Sequence, residues 1–152
     1  MAYTDLEGRE GLSARLGEAV EYLGEGLGSL GDAYEALDDQ TADTLEEKLF
    51  GPMQRAYGRA KKTYADFAGR HGLEGRTFDA PASPVTSGKA ADLIAAVAGS
   101  AEAADYALTE LQDDRAFLEV GDQELRVGVV SVREAIANVP REARMMLRTL
   151  GR

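Results

Sequence analysis

Leu16, Val20, Leu23, Leu27, Leu30, Tyr34 and Leu37 recur at spacings of four and three, the period of an amphipathic helix with one apolar seam. Thr4-Asp5-Leu6-Glu7 has the form of a capping box, so the first helix is predicted from about residue 5 to Leu37. Asp38-Asp39-Gln40-Thr41 is a polar break, with Asp39 or Thr41 as the next cap. A second seam follows through Leu45, Leu49, Met53, Ala56, Ala60, Tyr64 and Phe67. Gly51-Pro52 interrupts it, because Pro52 has no N–H to give the ladder and must kink the helix or start a new one. Arg70-His71-Gly72-Leu73 then reads as a Schellman stop: basic residues in the last turn, glycine after it, an apolar residue beyond.

Residues 73–87 carry Pro81, Ser83, Pro84, Thr86 and Ser87 with no helical period, and are predicted as an irregular crossover. A third helix is expected from near Ser87 to about Leu118, with Ala90, Ile94, Val97, Ala101, Ala104, Leu108 and Leu111 inward. Arg115 then falls where the seam calls for an apolar residue, so it must find a carboxylate or reach the bundle end. Gly121-Asp122 makes a turn with Asp122 as cap, and Leu125, Val129, Val132, Ile136, Val139, Ala143, Met146 and Leu150 form a fourth seam, bent at Pro140. The β-branched residues around Gly121-Asp122 also suit a β-hairpin over 117–132. The heptad that continues to Leu150 favours helix.

These seams predict an all-α fold: an antiparallel four-helix bundle made of two long helical hairpins, 1–72 and 88–152, joined by the Pro/Ser-containing crossover 73–87 within a single domain, 1–152. Gly17, Gly24 and Gly31 stand one heptad apart beside the first seam. Each costs about 1 kcal/mol against alanine in a helix interior, so a compensating contact is expected, either close approach of another helix or an interface. The alanine-rich inner side of the third helix is a suitable partner.

Charge enters as a pattern. Residues 1–47 hold 13 acids and 2 bases, 48–76 hold 2 and 7, 77–125 hold 10 and 2, and 126–152 hold 2 and 6. The sign alternates helix by helix, which predicts opposite signs on neighbours and like signs on diagonals. The net charge of −10 with only four lysines resembles the balance of salt-adapted, halophilic proteins. It argues against passive binding to nucleic acid or an anionic membrane. The amino-terminal stretch has no basic-then-apolar leader, the longest apolar run is Leu93 to Ala98, and there is no cysteine. A cytoplasmic protein without membrane spans or disulfides is therefore expected.

Candidate chemistry is sparse. The one histidine, His71, lacks a glutamate three residues before it, so the di-iron pattern of metal-holding bundles is missing, and helix capping is its expected role. Without cysteine, a Gly-x-Ser-x-Gly elbow or a second histidine, no nucleophilic constellation can be assembled. Gly24-Glu25-Gly26-Leu27-Gly28 has no preceding strand and no Gly-Lys-Ser/Thr ending, so it reads as helix packing. Arg141, Arg144, Arg148 and Arg152 share one helix face. They form either an anion-binding stripe or, as the preferred reading, partners for neighbouring acids. The kink at Pro52 is where a small-molecule cavity is expected if one exists. The sequence thus points to a non-enzymatic protein with no cofactor or metal that acts through protein contacts, as a self-associating or assembly subunit, cellular or viral. A regulatory binder of nucleic acid or another anion through the arginine face is the alternative.

Overall fold

A computed structural model of the chain describes residues 4–150. All of its regular structure is helical, and no strand occurs among the described residues. Helix α1 spans Asp5–Glu35, and the Thr4 hydroxyl caps it by accepting the Glu7 N–H at 3.1 Å. Helix α2 spans Asp39–Leu45 and is capped by Asp38, one residue before the expected position, whose carboxylate accepts the Thr41 N–H at 2.8 Å.

A π-helical turn, Glu46–Phe50, leads into α3, Gly51–His71. It answers the problem set by Pro52: the Gly51 N–H reaches back five residues to the Glu46 carbonyl, and Pro52 falls in the first turn of α3, where a missing donor does no harm. Gly72 ends α3 in the left-handed region (φ 64°, ψ 31°), and the Leu73 N–H donates to the Ala68 carbonyl at 2.9 Å.

Helix α4 runs over Ala90–Asp113, three residues later in starting and five earlier in ending than the seam implied. Asp114 is extended and caps a short α5, Arg115–Glu119, by accepting the Ala116 N–H at 2.8 Å. This break takes Arg115 off the core-facing seam, and the side chain finds a carboxylate, one of the two outcomes expected for it. It swings out to 89% exposure beside Glu119 at 3.3 Å, and Phe117 is buried instead. Helix α6, Gln123–Ile136, is capped by Asp122, so residues 117–132 are helix, turn and helix and not a hairpin. The chain breaks at Ala137-Asn138 before α7, Val139–Leu150, which begins one residue ahead of Pro140.

The helices pack side by side as a bundle around a single core that includes Leu12, Leu16, Leu23, Leu30, Leu49, Met53, Phe67, Ile94, Leu108 and Leu111. Helix α1 lies against α4 and α3, α6 lies against α3, and α7 lies against α4 and the π turn. The α1–α4 apposition is the most extended in the molecule, although both helices are acidic. Like-signed helices are therefore neighbours, and the diagonal placement read from the charge pattern does not hold. Small side chains decide the matter. Helix α4 buries Ala98, Ser100, Ala101, Ala104 and Ala107, and Gly26 of α1 stands so close to Ser100 that a Cβ there would lie 3.2 Å from that of the serine. The carboxylates stand on the outer faces, where water and salt screen them, while close packing gains dispersion along the whole interface. Arg15 of α1 also reaches across to Glu110 at 3.6 Å and Asp114 at 3.8 Å.

Candidate interaction surface

The three heptad glycines do not serve the approach of a helix backbone. A side chain at Gly17 would meet the Arg76 guanidinium at 3.3 Å and the Tyr64 ring at 3.5 Å, one at Gly24 would meet the Tyr57 ring at 3.4 Å, and Gly31 has open space. Gly28, outside that series, does meet a backbone, since its Cβ position is occupied by that of Ala82-Ser83. The crossover is strapped lengthwise along α1. Arg76 pairs with Glu21 and donates to the Gly17 carbonyl at 3.4 Å, and further along Ser83 shares a 2.8 Å hydroxyl hydrogen bond with Ser29. Phe78 packs edge-on to Tyr64 with centroids 5.0 Å apart. The small-residue track thus carries an extended segment and the aromatic rings of α3.

A second cluster joins the ends of α3 and α6. The Asp122 carboxylate caps α6 by accepting the Leu125 N–H at 2.8 Å. It also accepts two bonds from Arg70, at 2.7 and 2.8 Å, and lies 2.7 Å from His71 Nε2. Partial burial alone would raise its pKa. The hydrogen bonds from Arg70, the Leu125 amide and His71 outweigh that and hold the carboxyl well below the usual carboxylate range. His71 therefore clasps a carboxylate in addition to ending its own helix, and its ring lies against that of Phe67, tilted by 59° with centroids 4.8 Å apart. Among the described residues no group of three or more His, Asp or Glu side chains could hold a metal ion.

The arginine face of α7 is divided. Arg144 donates to Glu102 of α4 at 2.8 Å, Arg141 lies 3.6 Å from its neighbour Glu142, and Arg148 is exposed with no ion pair among the described residues. Arg152 lies outside the described residues. Arg133 of α6 donates to Asp105 at 2.8 Å and to Gln112 at 2.6 Å, and the hydrogen bond it gives Asp105 raises its pKa above the ordinary guanidinium value.

These cross-helix pairs border an open groove of about 650 Å³ between α4 and the α6–α7 bend. Ala101, Ile136, Ala137 and Pro140 line it with apolar surface, and Glu102, Asp105, Arg133 and Glu134 supply its polar edge. Tyr106, also in the lining, is 66% exposed. No protein-family model, no curated protein and no solved structure matches this chain. The surface must be read from its own chemistry. The bend near Pro140 was legible in the sequence, but the groove was not, because its other wall on α4 is brought there only by packing. A smaller notch does lie at the π turn before Pro52, where the kink was expected to open space.

Proposed function

We propose that this chain is a non-catalytic helical-bundle protein that acts through protein contacts, as a self-associating or assembly subunit. The observation that carries the reading is the α4/α6–α7 groove: an apolar floor, an exposed tyrosine and an ion-paired edge, which is the anatomy of a contact surface in which an apolar centre is ringed by polar groups. The helix contacts support the finer architecture, a ring of four antiparallel rods in the order α1, α3, α6–α7, α4, with the crossover strapped outside. An acidic surface poor in lysine suits a protein that works in high salt.

The anion-binding reading of α7 is the weaker one. Glu102 holds Arg144, and α7 carries no aromatic residue on which a base could stack. Light scattering behind size exclusion, at low and multimolar KCl, tests the proposal. Self-association is expected for the native chain, with Tyr106→Glu shifting it towards monomer at unchanged helicity. A native chain that stays monomeric at both salts and at high concentration overturns the reading.

A further inference from the structure

The notch at the π turn has a lining of unusual chemistry. Gly31, Tyr34 and Glu35 form one ridge on the last turns of α1, and Glu46, Phe50 and Gln54 form the facing ridge across the π turn. Between them lies an open space of about 360 Å³, widened by the missing side chain of Gly31. Two aromatic rings and two carboxylates face it, with no base in the lining. Tyr34 continues the first apolar seam yet is 40% exposed here, and Ala33 takes the buried place beside it.

The wider field has the same sign. From Leu16 to Glu47 the chain has ten acids and no base, and the last turn of α1 has no basic residue to neutralise its carbonyl end. Among the described residues neither Glu35 nor Glu46 forms an ion pair. A basic group with an apolar stem fits such a place, and arginine fits best, because its planar guanidinium stacks on aromatic rings and bonds carboxylates with the same atoms. The notch is too open to enclose a free small molecule, which favours a side chain delivered by its own backbone.

Helix α7 packs against the same π turn and presents Arg148, exposed and without an ion pair among the described residues, near exposed Met145. One end of the molecule therefore carries an acidic, aromatic notch and a basic helix face together. We propose that the notch receives Arg148 from a second copy of this chain, in a two-fold interface where each copy gives one arginine and accepts one. Such a contact is self-complementary by construction, because the same patch supplies both partners. The proposal rests on the reading of the protein as self-associating but uses a surface separate from the Tyr106 groove, and two surfaces per copy would allow an assembly larger than a dimer.

Charge reversal tests it by light scattering at low salt, with circular dichroism on each variant. Glu46→Arg and Arg148→Glu are expected to weaken association about tenfold each, and the double variant, which restores the pair with its signs exchanged, to recover it. Gly31→Leu, which fills the notch where no atom stands in its way, should weaken association while leaving helicity intact. Single variants that associate as the native chain does, or a double variant as weak as the singles, overturn the proposal and leave the Tyr106 reading standing. Loss of association by Glu46→Arg but not by Tyr106→Glu does the reverse.

Discussion

Asp122 combines three roles in one carboxylate: cap of α6, partner of Arg70 and partner of His71. Asp122→Ala should cost about 2–3 kcal/mol in urea unfolding, from the lost cap and the charged hydrogen bonds together. Asp122→Asn, which can still cap, should cost less. The carboxyl is held below its ordinary value of 3.8 in the folded chain, so its contribution is complete above that pH and fades as pH falls through the lower folded value. An acid unfolding curve should therefore be flatter for Asp122→Asn than for the native chain. The cap itself was legible, because Gly121-Asp122 before an apolar run is a local signal. Its partners were not: Arg70 and His71 are 52 and 51 residues away in sequence, and only the packing of α3 on α6 brings them there. Arg115 shows the opposite limit, since the heptad assumed an unbroken helix and the Asp114 break turned the residue out to solvent.

Helix α1 contains two glycines three residues apart whose replacement should act in opposite directions. Gly31→Ala meets no atom within 4 Å and removes a poor helix former, so thermal unfolding should show a gain of about 1 kcal/mol. Gly28→Ala collides with the Ala82-Ser83 backbone and must push the crossover off the helix, at a cost of about 1–3 kcal/mol. At the α3–α6 contact, Gly128→Ala should destabilise by a similar amount, because its Cβ would run into the Thr63 side chain. The stop at Gly72 and the interruptions at Pro52 and Pro140 followed from local punctuation, whereas periodicity ran the third helix on through the Asp114 break to Leu118. The use of the glycines followed from neither, since a one-heptad repeat looks the same whether it faces a helix, an aromatic ring, an extended strap or an empty notch.

At the scale of the whole molecule, two predictors disagreed and packing prevailed. The charge blocks favoured opposite-signed neighbours, whereas the small residues of α1 and α4 favoured contact between two acidic helices, and the second arrangement is the one observed. The net charge is −10 and acidic α1 lies against acidic α4, so added KCl should screen the repulsion and raise the midpoint of thermal unfolding; a fall would mean that the opposite-signed contacts α1–α3 and α4–α7 dominate. The proposed function rests on a surface that no periodicity reveals, the groove between α4 and the α6–α7 bend. Amide hydrogen exchange at two protein concentrations tests that surface most directly. If the chain works by self-association through the groove, residues 101–109 and 133–140 will exchange more slowly at the higher concentration while the α1–α4 core is unchanged. Equal exchange there at both concentrations, in a sample that light scattering shows to be associated, would contradict the account.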